Sequence, residues 1–449
     1  MEPYLVGTFG FGAVLFLLAL RVPIGFTLAS VATLCSLVVY AWRPGGEFHF
    51  FRGLRPALGL IESNAFQFIH SYELSMVPLF IAAGHIAYWT GITTDIFEAA
   101  RAWLRRVPGG LAIASLIGCG GFSAITGSSV ACASSMGKIC VPQMQRLGYS
   151  DRLATSSVAV GGTLGSLIPP SVLFIIYGLF TETSISQLFL AGVIPGLLSL
   201  AGFMLTVIIW VTLNPSEAPR DETPAASFGT LIRAGLQAWP AMLLFAIILG
   251  GIYGGIFTAT EAASICLAFV IVYGVVTRRL TFEQFRHSIL DTVKQSAALF
   301  FIAVGAKIFV SFISLTGVTQ AFVDWVTHSG FPVWVVLLAI ILMYLALGMF
   351  LDSIGIMLLT LPFIVPVIES MGFNLIWFGV VVIKLLEIGL ITPPVGLNVF
   401  VVSSVVGKDV RVGQIFSGVT RFLVLDLVVL ILLVFFPVLS LWLPLSASG

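Results

Sequence analysis

Charge is what this sequence has least of. Of 449 residues, 9% are Asp, Glu, Lys or Arg and 59% are hydrophobic, whereas a soluble domain carries roughly 25% charged residues. So few charges cannot cover a water-facing surface, which excludes the soluble-enzyme classes and leaves an all-α polytopic membrane protein. The charges nearly cancel, 21 basic against 20 acidic, so no basic stripe is offered to nucleic acid. Histidine and cysteine are scarce at five each. There is no HExxH and no metal-ligand spacing. Cys35, Cys119, Cys132, Cys140 and Cys266 lie scattered, mostly in apolar runs, where a free cysteine acts as a small hydrophobe. No GxxxxGK[ST] phosphate loop is present. The start, MEPYLVGTFG, lacks the basic stretch and cleavage site of a signal peptide, so the first span is expected to be retained.

Long apolar runs are what the chain does have. Crossing a bilayer as a helix takes about 20 such residues, and these runs lie at 4–20, 22–42, 69–92, 187–213, 235–256, 260–277, 297–316 and 417–447. Two longer regions, 111–181 and 333–406, are interrupted. The first holds GCGGFSAITGSSVACASS and then Ile168-Pro169-Pro170. The second holds Asp352-Ser353 between Gly348 and Gly355, then Thr392-Pro393-Pro394. Two consecutive prolines remove two backbone donors and clash with the preceding turn, so no continuous helix runs through either pair. At membrane depth the freed carbonyls must face protein, ion or water. Each Pro-Pro therefore predicts a broken helix lining a polar cavity, and each Gly/Ser or Asp-Ser interruption predicts the tip of a re-entrant helical hairpin.

The two regions repeat. An offset of 224 residues pairs Ser129 with Ser353, Pro142 with Pro366, Gly148 with Gly372, Gly165 with Gly389, and both Pro-Pro dipeptides. Chance alignment of apolar segments matches leucines and valines, not prolines and glycines, so this is an internal duplication. Gly/Pro-interrupted segments at matching places in two halves mark a transporter's binding site.

Charge gives the expected orientation. With residue 1 outside and each interrupted region counted as a hairpin plus one broken crossing, fifteen Lys and Arg fall inside and only Arg43, Arg52 and Arg55 outside, while Lys138, Lys307 and Lys384 sit in apolar segments. Ten crossings then put both termini outside. The amphipathic stretch TDIFEAARAWLRR precedes the first hairpin with three arginines; TQAFVDWVTH precedes the second with no Lys or Arg. Opposite charge at matching places is expected of halves inverted across the membrane, with both stretches lying in the interface plane. The polar stretch LNPSEAPRDETPAASF separates the halves.

The segments GSSVACASSMGKICVPQMQRLGY from Gly127, GGTLGSLIPPSVLFIIYG from Gly161, GIFTATEAAS from Gly255, LDSIGIMLLTLPFIVPV from Leu351 and EIGLITPPVGLNVF from Glu387 resemble, in order and over essentially the whole chain, the large membrane (M) subunit of tripartite ATP-independent periplasmic (TRAP) transporters. The resemblance implies an inverted-repeat, elevator-type fold with a scaffold and a mobile transport domain. It implies import of an organic acid, such as a C4-dicarboxylate or sialic acid, across the bacterial inner membrane. Sodium would be the coupling ion, with no covalent cofactor. Partners would be a periplasmic substrate-binding protein and a small membrane subunit of about four helices, expected as a separate polypeptide because the chain starts directly with the first span. On this reading residues 1–68 are N-terminal scaffold spans. Residues 69–213 form the first repeat, with an arm at 93–107, the hairpin and broken helix at 111–181, and a closing scaffold span. Residues 214–228 are a cytoplasmic linker and 229–296 further scaffold. Residues 297–447 form the second repeat, with an arm at 317–329, the interrupted region 333–406 and the last span.

A sodium ion leaving water needs several oxygen ligands. Broken helices supply released carbonyls and the negative ends of half-helix dipoles. The expected first cluster is Thr126, Gly127, Ser128 and Ser129 opposite Gly165, Ser166, Ile168, Pro169, Pro170 and Ser171. The second is Asp352, Ser353 and Gly355 opposite Gly389, Thr392, Pro393, Pro394 and Asn398, one sodium per half. A carboxylate would sit between the tips, where half-helix N-termini offer N–H groups. Competing readings stand beside these. Glycines and serines close-pack membrane helices, as the Gly161–Gly165 spacing allows. Lys384 and Glu387, spaced i, i+3, either neutralise each other or leave Lys384 for substrate. Lys138 reaches toward the inner surface, Lys307 awaits a partner, and Glu261 in TATEAA suits a helix start. A membrane enzyme lacks a nucleophile–base pair here, a channel does not explain paired inverted breaks, and a related anion carrier working without a binding protein is the alternative transporter.

Overall fold

The computed structural model describes residues 2–42, 46–219, 228–407 and 410–447, without the side chain of Phe228. Arg43, Arg220, Lys408 and linker residues 220–227 lie outside the described residues. Among those described, β-structure amounts to an isolated bridge between Trp42 and Phe48; the rest of the regular structure is helical. Seven helices are long and apolar enough to cross a membrane, or nine if each of two bent pairs counts as one span.

One group of helices packs together: Pro3–Ala19, Ile24–Ala41, Phe50–Ile69, Met76–Trp89, Ala259–Val276 and Phe282–Thr316. Phe50–Ile69 had no counterpart among the apolar runs, because its polar face dilutes them. Phe282–Thr316 is one helix of 35 residues. Only its second half reads as an apolar run; the first half continues it because no proline intervenes and a Thr281–Gln284 capping box starts it. The TATEAA motif is explained the same way. Glu261 accepts from the backbone N–H of Thr258 at 2.8 Å while its own N–H donates to the Thr258 hydroxyl at 3.3 Å. The last run is cut by Pro437 into Val412–Phe435 and Val438–Ala447.

The second group carries the duplication. Gly110–Thr126 turns at 127–128 into Ser129–Arg146, and Val333–Gly348 turns at 349–352 into Ser353–Ser370. Each hairpin leads into a broken helix: Asp151–Leu167 then Val172–Thr181, and Leu375–Ile391 then Leu397–Val406. Shifting Ser129–Arg146 and Asp151–Leu167 by 224 residues reproduces the limits of their counterparts. The start signals shift equally. Ser128 and Asp352 cap the returning limbs, and Ser150 and Asn374 cap the broken helices. Gly148 and Gly372 supply the left-handed turns between them, at φ 78° and 75°. The halves interlock, since Val172–Thr181 packs on Ser353–Ser370 while Leu397–Val406 packs on Ser129–Arg146. Both Ile185–Leu213 and Val412–Phe435 pack on the broken helices.

Two short amphipathic helices join the groups. Ile92–Leu104 bends 62° from the preceding helix, is tied to the first group by an Arg279–Asp95 pair at 2.5 Å, and lays Ile96 and Phe97 against Gly121 and Gly118 of the first hairpin. Val318–His328 starts at Gly317, and its Thr319 hydroxyl donates to the Pro362 carbonyl of the second hairpin at 3.4 Å. At the end of Ile185–Leu213, Glu217 folds back to accept hydrogen bonds from Ser150 and Arg152. Partial burial pushes its carboxyl up, but those bonds outweigh it and hold the group below its ordinary range.

The hairpins lie close enough to the broken helices to leave no room for a β-carbon. One placed on Gly165 would come within 2.8 Å of the Ser128 backbone, and one on Gly389 within 2.6 Å of Gly348. Gly165→Ala and Gly389→Ala should each cost about 1–3 kcal/mol through overpacking, read as a lower melting temperature in detergent. Gly413→Ala, which meets nothing within 4 Å, should not. Equal melting of all three would show that the close approach is unimportant.

Candidate functional site

Each double proline removes the donors that would serve a preceding turn. Pro169 and Pro170 leave the Gly165 and Ser166 carbonyls without their i+4 partners, and Pro394 does the same to Leu390. The chain then turns to its own hairpin. The Val172 N–H donates to the Gly127 carbonyl at 3.2 Å, and the Val395 N–H to the Met349 carbonyl at 3.3 Å. Every tip thus closes on its break with two half-helix C-termini and two N-termini gathered in one place, the arrangement that presents both ends of the helix dipole. Both Pro-Pro bonds are cis.

The candidate residues sort by what their side chains already do. The Thr126 and Thr392 hydroxyls donate to Phe122 and Ile388 carbonyls of their own helices, at 3.1 and 2.6 Å. Ser128 accepts from the Ala131 N–H and Ser171 from the Phe174 N–H, both as helix caps. By contrast Ser129, Ser166 and Ser353 are buried and their hydroxyls make no hydrogen bond among the described residues. Ser129 and Ser353 are counterparts, each the first residue of a returning limb. Asn398 is wholly buried; its amide donates to the Ala159 carbonyl at 3.4 Å and its Oδ1 has no partner. That bond joins the second break to the first broken helix.

Asp352 is exposed, and its Oδ2 accepts from the Gly355 N–H at 2.9 Å. Capping accounts for an acid at this position, and one oxygen remains for a cation. The clusters also differ in cover. Ile168–Ser171 are buried, sheltered by Gly192 and Gly196 of Ile185–Leu213, whereas Pro393, Pro394 and Val395 are exposed. The first group touches both tips: Gly84 lies against Thr126 and Ile24 against Gly355.

Lys384 pairs with Glu387, as one of the two sequence readings expected, and with two further groups. Its ammonium lies 3.5 Å from Glu387, but the closer partners are Asp426 at 2.7 Å and the Ser199 hydroxyl at 2.9 Å. All three charged side chains are fully buried. The pairing binds Leu375–Ile391 to Ile185–Leu213 and Val412–Phe435. Asp426 escaped the sequence analysis, although a single carboxylate inside an apolar span is itself the signal. Lys138 is exposed, and Lys307 is half-buried with no ion pair among the described residues. The cysteines are free, four buried and Cys35 half-buried. No group of three or more His, Cys, Asp or Glu able to hold a metal ion occurs among the described residues, so a cation here would rely on hydroxyl, amide and carbonyl oxygens and the Asp352 carboxylate. Lys384→Met would strand two buried carboxylates, an expected loss of about 3–5 kcal/mol. Lys384→Met together with Asp426→Leu should recover part of it, and a double variant no more stable than the single one would show that the pair is not the source.

Residues 11–439 match the family described as the tripartite ATP-independent periplasmic transporter, DctM component. The chain is 35% identical to the C4-dicarboxylate TRAP transporter large permease protein DctM of Pseudomonas aeruginosa, over 84% of this chain and 88% of that protein. It is 34% identical to the sialic acid TRAP transporter large permease protein SiaM of Vibrio cholerae, over 84% and 87%. Its fold is similar to that of the Alcanivorax borkumensis YdaH transporter, with a TM-score of 0.59 over 100% of this chain and 98% of that one at 15% identity. With two broken helices, two hairpins and this match along nearly its full length, the chain belongs to the DctM family of TRAP transporter large permeases and is a transport protein, not an enzyme.

Proposed function

We propose that this chain is the permease of a sodium-coupled importer of a small organic acid, working by an elevator mechanism in a bacterial inner membrane. The observation that carries the reading is the repeated pairing of tip and break, with Ser129 and Ser353 buried and their hydroxyls unengaged at matching places. One sodium in each cluster would be held by Ser129, Ser166 and the released carbonyls of the first break, and by Ser353, Asn398, the Asp352 carboxylate and the carbonyls of the second. A substrate carboxylate would take the N–H groups at the N-termini of Ser129–Arg146 and Ser353–Ser370. C4-dicarboxylates and sialic acid, named for the relatives, share that carboxylate, and a periplasmic binding protein would deliver the substrate.

The moving body in this reading is the second helix group, hairpins entering from opposite faces as re-entrant elements. It includes Ile185–Leu213, which sequence alone would leave in the scaffold, because that span shares the Lys384 cluster and shelters the first break. Ile92–Leu104 and Val318–His328 would be the arms, and the first helix group the scaffold, braced by a small membrane subunit. Both termini would lie on the periplasmic side, the orientation that the charge distribution favours.

Ser129→Ala, Ser353→Ala and Asp352→Asn, the last keeping the cap, should each raise the sodium concentration for half-maximal uptake in reconstituted vesicles by roughly tenfold, the equivalent of about 1.4 kcal/mol. An unchanged sodium dependence removes that residue from the ligand set. Elevator movement is tested where Phe11 of the scaffold meets Phe363 of the second hairpin, ring centres 5.0 Å apart. A short bismaleimide bridge between cysteines at these positions should stop transport and leave binding-protein docking intact; continued turnover would contradict the scheme.

A further inference from the structure

We propose an oxyanion site, for a phosphate or carboxylate group, built from Arg421 and Trp210 at the end of the second helix group where the arginines collect. Three elements make it. Trp210 lies near the end of Ile185–Leu213, Arg421 on Val412–Phe435, and Arg152 in the first turn of Asp151–Leu167. The Arg421 guanidinium stacks on the Trp210 ring, its central carbon 3.9 Å from the ring centre, and Arg152 approaches the same ring at 5.5 Å. Val412–Phe435 comes this close because Gly418 lies against the Arg152 carbonyl and the Ser156 hydroxyl.

Charge around the ring does not balance. Glu217 is the acid of the cluster, and both its oxygens are engaged, one by Ser150 and the other by Arg152. Arg421 is left without an ion pair among the described residues. Its Nη1 is buried with no partner, and the indole Nε1 of Trp210, a residue 3% exposed, faces the Glu217 carboxylate without forming an aligned hydrogen bond. Two unpaired donors, one carrying a charge, sit on faces held together by a stack. Leaving buried donors unmet is costly, and an arginine fork beside an indole N–H suits oxygens of a phosphate or carboxylate. Stacking serves this arrangement, because it fixes the guanidinium plane against the indole. A packing role alone would be met by an apolar residue and would not require an unpaired charge. Two sources share the chemistry: the headgroup of an anionic phospholipid, and a small free anion. The site is remote from the hairpin tips in sequence and does not depend on the sodium assignment.

The test is made on the full-length chain with two probes. Inorganic phosphate is titrated against the detergent-purified protein and followed by its melting temperature. Nanodiscs of mixed phosphatidylglycerol and phosphatidylcholine are used to measure which phospholipid native mass spectrometry finds retained. Retention of phosphatidylglycerol identifies the headgroup as occupant, and stabilisation by phosphate without retention identifies a small anion; each supports the site. Arg421→Gln should weaken the observed signal by about tenfold, Arg421→Lys by less, and Arg52→Gln not at all. Trp210→Phe keeps the stack and removes one donor, so it should also weaken binding, and it serves if Arg421→Gln fails to fold. Absence of both signals in the unaltered chain, or signals that Arg421→Gln and Trp210→Phe leave unchanged, would overturn the proposal.

Discussion

The structure depends on one constraint: inside a membrane a backbone carbonyl without its helical donor must be given another partner. Pro169-Pro170 and Pro393-Pro394 withdraw donors in the middle of long apolar helices. The fold answers locally, by bringing a hairpin tip against each break and closing it with one backbone hydrogen bond. Glycines at 165 and 389 let the tips come that close. What remains unmet is a small set of oxygens beside the breaks, and the proposed transport chemistry is a consequence of that remainder.

Around these breaks the polar side chains fall into two kinds. Some are consumed by the fold: the capping Ser128 and Ser171, one oxygen of the capping Asp352, the threonines that bond back to their own helices, and the Lys384 cluster that binds three helices. Others are buried and left open, namely Ser129, Ser166, Ser353 and the Asn398 oxygen. A bound cation would finish what the protein leaves unfinished, and its departure would leave the tips less firmly closed. In the proposed scheme coupling of ion and substrate needs no dedicated relay, because both would be held by the same tip-and-break units.

Much of this was legible in the sequence, for a physical reason. Prolines, glycines and caps act on their own backbone within a few residues, so the 224-residue offset found from them also relates the helix limits of the two halves. Glu261 as a helix-start acid was readable on the same grounds. Side chains whose partners lie far along the chain were not. Asp426 meets Lys384 across 42 residues and Asn398 meets Ala159 across 239, and no local pattern reports such distances. Helix Phe50–Ile69 was missed because an amphipathic stretch never forms an apolar run. That Ile185–Leu213 packs on both broken helices was not legible, because hydropathy shows that a span exists, not what it packs on.

The central claim is that the two tip-and-break units face opposite sides of the membrane. Leu147 and Met371 are counterparts at the turns where hairpin becomes broken helix. Single cysteines at these positions, probed with a membrane-impermeant maleimide in intact and permeabilised cells, measure the sides directly. The account predicts that cysteine 371 reacts from outside and cysteine 147 only after permeabilisation. Reaction of both from the same side would contradict it.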